Sequence, residues 1–132
     1  MKIYVSGSFS RQKVLREIAQ SLQDLGFAVT STWLQEGKCP AYMTGKEWRK
    51  ALAIKDLADV AEADCIIMDE TDLSTYGGRY VEWGFALAYD DKLKILVQPM
   101  ETKGVFQMLA DVTFKDWDAT KTYLSNRFTT KS

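Results

Sequence analysis

The sequence predicts an α/β domain built on a parallel sheet with helices on both faces. Three observations carry this expectation. Short apolar, β-favouring runs alternate with helical stretches along the whole chain. The opening reads strand, turn, helix, glycine, strand, the order of a βαβ unit. An interior run, Cys65-Ile66-Ile67-Met68, is apolar throughout, as a parallel strand covered on both sides must be.

Taken in order, Ile3-Tyr4-Val5 is a β-favouring run closed by the turn residues Ser6-Gly7-Ser8. Val14, Leu15, Ile18, Ala19, Leu22 and Leu25 then recur at helical spacing from about Arg11 to Leu25. Gly26 suits the left-handed position that ends a helix. Phe27-Ala28-Val29-Thr30 reads as a second strand, and residues 34–45, with two glycines and a proline, as a loop. A long helix is expected from about Thr44 to Glu62, followed by a strand over Asp64–Met68 and a polar loop from Asp69 to Gly78. A helix over Arg79–Tyr89, a strand over Leu93–Val97, a helical turn near Val105–Leu109, a brief strand at Asp111–Phe114 and a helix over Asp116–Phe128 complete the chain. Five parallel strands with helices on both faces make a flavodoxin-like or Rossmann-like sheet. In such sheets ligands bind beyond the carboxyl ends of the strands.

The length of 132 residues fits a single domain, and neither repeats nor low-complexity tracts divide it. A net charge of −1, with Lys and Arg interleaved among acids, argues against a nucleic-acid polymer as partner, because phosphate neutralisation needs a concentrated basic surface. No apolar run approaches the ~18–20 residues that span a bilayer. The N-terminal apolar run meets its turn too early for a signal peptide, so a cytoplasmic protein is expected. Cys65 reads as a small buried hydrophobe and Cys39 as a loop thiol, with no disulfide expected.

The sequence contains no histidine. That removes His-dependent nucleophilic triads and the commonest transition-metal ligand. With two unpaired cysteines, no metal or cofactor is expected. Acid–base or nucleophilic chemistry must rest on carboxylates, tyrosines, lysines or thiols.

Two carboxylates draw attention. Asp56 shares a helical face with Trp48, Leu52 and Val60, so it is either solvated on the helix flank or partly buried with a raised pKa; Asp59 and Asp64 compete with it. Glu82 follows Gly77-Gly78 and falls in the first turn of the next helix, among Tyr80, Val81, Trp83, Gly84 and Phe85. It is either a glutamate favoured by the helix dipole or a carboxylate placed in an apolar pocket at the binding edge of the sheet. The residues alone leave both open.

Tyr4 before Gly7, Asp56-Leu57 followed by Ala63-Asp64 and an apolar strand, and Gly78 through Gly84 leading to Ala86-Leu87-Ala88 together resemble the nucleoside 2-deoxyribosyltransferase family, whose relatives include 2′-deoxynucleoside 5′-monophosphate N-glycosidases. The resemblance runs from Lys2 to the fourth strand and makes 1–132 a single domain of this kind. It implies Glu82 as the nucleophile on the anomeric carbon, Asp56 as the acid–base group near the base, and Tyr4 as the hydroxyl that positions the glutamate. A 2-deoxyribose lacks the electron-withdrawing 2′-hydroxyl, so one carboxylate and one acid suffice for double displacement.

The same resemblance implies substrate contacts from the loop Gly7-Ser8-Phe9-Ser10-Arg11, from Ser74 and Tyr76, and from Gly78 and Arg79. Monophosphate-specific relatives bind phosphate through a Ser/Arg loop after the first strand and a serine before the glutamate. Ser8, Ser10, Arg11 and Ser74 stand in those regions here, with Arg11 displaced by one position. Tyr76 falls where transferases place an aspartate. Transferase or hydrolase, and nucleoside or monophosphate, both stay open. Arg79 reads as a ligand for phosphate or a base carbonyl, or as a solvated first-turn arginine; Trp33 and Trp48 as base-stacking or core residues. A small-molecule substrate and a homo-oligomer are implied, as family members share sites across subunits. A non-catalytic nucleotide-binding module of the same fold is the competing reading.

Overall fold

The computed structural model describes residues 1–73 and 77–128. Strands β1 (Lys2–Ser6), β2 (Ala28–Val29), β3 (Cys65–Asp69), β4 (Leu93–Val97) and β5 (Val112–Phe114) form one sheet in the order β2-β1-β3-β4-β5. All four pairings are parallel, as the alternation of apolar runs and helices predicts. The helices are α1 (Gln12–Asp24), α2 (Gly45–Glu62), α3 (Gly78–Leu87) and α4 (Trp117–Phe128). α2 packs against α3 on one face. On the other, α1 and α4 line a common groove through Ser21, Leu25, Lys121 and Ser125. No helix among the described residues is long and apolar enough to cross a membrane.

This strand order fixes where a site can form. The chain leaves β1 for β2 on one side, then jumps back over β1 to β3 on the other. Connections that diverge from adjacent strands open a crevice at their carboxyl ends, here between β1 and β3. Tyr4↔Ile66 and Ser6↔Met68 are partners at this junction.

The core explains the apolar runs. Ile3, Tyr4 and Val5 of β1, all of β3, and Ile95, Leu96 and Val97 of β4 are buried between the helical layers. Leu15, Ala19 and Leu22 cover one face; Trp83 and Ala86 cover the other. Helix α1 ends where expected: Gly26 has φ +98°, open to glycine at no steric cost. Thr44 begins α2 with a reciprocal capping box, its hydroxyl accepting from the Glu47 backbone N–H while the Glu47 carboxylate accepts from the Thr44 N–H.

β2 is shorter than the four-residue run expected for it. After the Thr30 N–H, which donates to the Ile3 carbonyl at 2.8 Å, the ladder is replaced by side chains. The Val5 N–H donates to Ser31 Oγ at 3.0 Å, and the Trp33 indole donates to the Val5 carbonyl at 2.7 Å. These satisfy the outward polar groups of Val5, so no further strand pairing is required. The chain instead turns through a short 3₁₀ helix, Thr32–Gln35. Trp33 is thereby a core residue.

Candidate active site

Tyr4 and Ser6 are two residues apart on β1, so their side chains leave the same face of the sheet. Both meet one carboxylate on α3. Tyr4 Oη donates to Glu82 Oε2 at 2.5 Å, and Ser6 Oγ donates to Glu82 Oε1 at 2.8 Å. α3 begins at Gly78, so Glu82 is its fifth residue and lies beyond the first turn where the sequence reading put it. The dipole effect fades within that turn. What fixes Glu82 is the pair of hydroxyls rising from the central strand.

Asp56 reaches the same place from α2. A cavity of about 230 Å³ is lined by Ala53, Asp56, Leu57, Gly78, Val81 and Glu82, two carboxylates among mainly apolar groups. Asp56 is half-buried, and its Oδ1 is buried without a hydrogen-bond partner. The fully solvated reading of Asp56 does not describe it.

The electrostatics separate the two acids. Burial is the largest influence on each. It pushes Asp56 up to about 7, with the Glu82, Glu36 and Asp59 charges adding to it. It also pushes Glu82 up to about 7, against hydrogen bonds from Tyr4 and Ser6 that hold it down. Hydrogen bonds donated to a carboxylate favour its anion. Glu82 receives two and the buried Asp56 oxygen receives none. Of the two carboxylates, Glu82 is the one whose anion is held by donated hydrogen bonds. Tyr4 stays a phenol, since burial and then the Glu82 charge raise it far above the usual tyrosine range.

This geometry yields a quantitative expectation for Tyr4→Phe. A hydrogen bond to a charged group contributes about 1.5–3 kcal/mol, so kcat should fall about ten- to a hundredfold. The lost donor should also move the acid limb of the pH–rate profile above about 7, because the Tyr4 hydrogen bond holds Glu82 down. A kcat loss with an unmoved acid limb would assign Tyr4 a packing role only.

Other expected site residues are distributed differently. Gly7 allows a close approach: a Cβ there would lie 2.6 Å from Leu15 Cδ1 and 3.3 Å from Asp69 Cβ. Ser8 Oγ and Ser10 Oγ are 2.9 Å apart, and both hydroxyls donate to Asp72 Oδ2. Phe9 is exposed beside them. Arg11 is held by Asp69. Its Nε and Nη2 donate to the buried Asp69 carboxylate at 3.0 and 3.1 Å, and Asp69 also accepts from Trp117 Nε1 at 2.6 Å. Gly78 lines the cavity at the start of α3. Ser74 and Tyr76 lie outside the described residues.

Arg79 is buried at 2% exposure, not a solvated first-turn arginine. Its guanidinium lies 4.7 Å from the Tyr80 ring centroid and donates to the Tyr80 hydroxyl. That hydroxyl donates to Glu70 Oε2, which also accepts from Gln107 Nε2, while Glu70 Oε1 accepts from Gln98 Nε2. This network clamps the ends of β3 and β4 to the start of α3. Asp59 is likewise structural, accepting from the backbone and hydroxyl of Thr32. Asp64 takes the Lys2 N–H in the turn before β3.

Sequence reasoning did not single out Ser6 as a site residue, although its alternation with Tyr4 along β1 was a usable signal. It also passed over Glu36, whose Oε1 is buried without a partner and whose charge helps raise both Asp56 and Glu82. Asp72 carries no local pattern that marks it.

No protein-family model matches this chain. No curated protein matches it. Solved structures do. A 2-deoxyribosyltransferase from Bacillus psychrosaccharolyticus is 22% identical, with TM-score 0.73 over 93% of this chain and 92% of that one. A CMP N-glycosidase from Clostridium botulinum is 14% identical, with TM-score 0.61 over 96% and 99%. A conserved protein from Enterococcus faecalis V583 is 12% identical, with TM-score 0.73 over 97% and 99%. Over nearly its whole length, then, this chain has the α/β fold of a 2-deoxyribosyltransferase and of a CMP N-glycosidase.

Proposed function

We propose that this chain is an enzyme that cleaves the N-glycosidic bond of a 2′-deoxyribonucleoside or its 5′-monophosphate through a covalent glycosyl-enzyme on Glu82. The observation that carries the reading is the convergence of the Tyr4 and Ser6 hydroxyls on Glu82, a carboxylate that lines one cavity together with Asp56.

The steps follow from the protonation states. A Glu82 carboxylate oxygen bonds to the anomeric carbon as the C1′–N bond breaks, and the bonding electrons leave with the base. Asp56 delivers its proton to the departing base nitrogen. In the second half, a second base or water attacks C1′, the C1′–O bond to Glu82 breaks, and the Asp56 carboxylate takes the attacking group's proton. Each step uses one carboxylate as nucleophile or leaving group and one as acid or base.

The test is incubation with the four deoxynucleosides and their 5′-monophosphates, with and without an acceptor base, followed by chromatography. Released base supports the reading, and exchanged base identifies transfer. Intact substrates bound with measurable affinity would instead favour a binding module.

The reading includes a homo-oligomer of two or more copies. Phe106, Met108 and Leu109 are exposed beside a 350 Å³ cavity lined by Tyr80, Val81, Trp83, Gly84, Phe106 and Gln107, adjoining the site through Val81. Large exposed apolar patches mark association surfaces. Sedimentation velocity is expected to give a dimer or larger, and a strict monomer removes this part of the proposal.

A further inference from the structure

Ser6 is the last residue of β1, and it is fully buried. A buried hydroxyl costs free energy unless it is hydrogen-bonded, and this one donates to Glu82 Oε1 at 2.8 Å. Tyr4 donates to the other oxygen, Oε2. Packing alone asks for no hydroxyl at position 6, and the Tyr4 bond already anchors the Glu82 side chain. What Ser6 adds is a donor on the second oxygen. Whichever carboxylate oxygen is joined to a sugar carbon, the other one keeps a hydroxyl bonded to it.

The consequence depends on charge. A hydrogen bond donated to a carboxylate is stronger than one donated to a neutral ester, because the anion is the better acceptor. When Glu82 attacks C1′ its charge is lost, and the Ser6 bond weakens. When the glycosyl ester breaks the charge returns, and the bond strengthens. An interaction that strengthens on the way to the transition state speeds a step, and one that weakens slows it. We propose that Ser6 is a catalytic residue of the second half-reaction, its hydroxyl stabilising the carboxylate that departs from the sugar. In that step water or a second base bonds to C1′ and the C1′–O bond breaks. The electron pair of that bond returns to Glu82 beside the Ser6 O–H, and the Asp56 carboxylate takes the attacking group's proton. The Ser6 proton stays on its own oxygen throughout, and Tyr4 acts in the same sense on the other carboxylate oxygen. This inference rests on the reading that Glu82 forms a glycosyl ester.

The experiment follows the glycosyl-enzyme by intact-protein mass spectrometry in wild type, Ser6→Ala and Ser6→Cys. Each protein is mixed with the deoxynucleoside or 5′-monophosphate that wild type cleaves fastest and quenched at intervals. Dilution then reads the decay of the adduct. Ser6→Ala is expected to lengthen the adduct's lifetime about tenfold, the margin of a charged over a neutral hydrogen bond, with no comparable slowing of its formation. The adducted fraction at steady state should rise accordingly. Ser6→Cys, whose thiol is a weak donor, should fall between wild type and Ser6→Ala. If Ser6→Ala does not fold, the lifetime in Ser6→Cys against wild type decides. A merely structural role would slow formation and breakdown alike. Equal lifetimes in folded variants, or one common factor on both steps, overturn the proposal and leave the glycosidic reading intact. If none of the three proteins carries an adduct, the glycosyl ester on Glu82 fails, and the role of Ser6 falls with it.

Discussion

Glu82→Gln is expected to lower base release by about ten-thousandfold or more, the scale of loss when a covalent nucleophile is removed. Glutamine keeps the size of the side chain and can accept from one of the two hydroxyls, Tyr4 or Ser6, through its amide oxygen while its amide nitrogen donates to the other. It cannot form the glycosyl ester. A fold-wide collapse is not expected, because the substitution removes a carboxylate whose ionisation burial opposes. The sign of the stability effect follows. A carboxyl raised from 4.5 to about 7 in the folded protein contributes stability in full below pH 4.5 and loses it as the pH climbs through about 7. Wild type should therefore lose stability relative to Glu82→Gln across that window, read from denaturant midpoints at a series of pH values. Near-wild-type activity in a well-folded Glu82→Gln protein would remove the nucleophile assignment. An activity loss accompanied by an equal stability loss at every pH would point to a structural carboxylate.

Such a trade of stability for activity accounts for what the sequence could and could not reveal. The sheet was legible because its signals are cooperative. Cys65–Asp69 is buried along its whole length, Leu93–Val97 nearly so, and Gly26 stops α1 at a positive φ. The orientation of α2 was much less legible. Ile54 is 62% exposed on this helix while Asp59 is buried at 7%, an inversion of the usual pattern that erases any clean apolar stripe. Whether Asp56 faced solvent or cavity was therefore undecidable from spacing, and the packing of α2 against α3 decided it. Arg79 misleads for a similar reason. A first-turn arginine is ordinarily solvated, yet this one is buried beside the Tyr80–Glu70 network, whose members lie far apart in sequence. Tyr4 was legible on its strand, whereas Ser6 was read as a turn residue although β1 runs through it and alternation puts both side chains on one face. The loop residues Glu36 and Asp72 were not legible, since no periodicity constrains where a connection places its side chains.

The role of Asp56 makes the second large prediction. Asp56→Asn should slow cleavage about a hundred- to ten-thousandfold, the usual contribution of a positioned general acid. The effect should fall on kcat more than on KM, since asparagine preserves the shape of the cavity wall. The pH dependence is more diagnostic than the magnitude. In wild type the rate requires anionic Glu82 and protonated Asp56, so it rises as the first ionises and falls as the second does. Both are held near 7 and act on one another, so the bell should be narrow and its limbs should belong to the pair. Asp56→Asn removes the proton donor and should abolish the alkaline limb while retaining the acid limb of Glu82. A substrate whose base leaves without protonation should recover most of the lost rate in this variant, because the missing step is then unnecessary. If the alkaline limb survives the substitution, or the activated substrate gains nothing, the proton comes from another group. Glu36, whose own carboxyl is raised chiefly by burial and then by the Asp59 charge, becomes the next residue to replace.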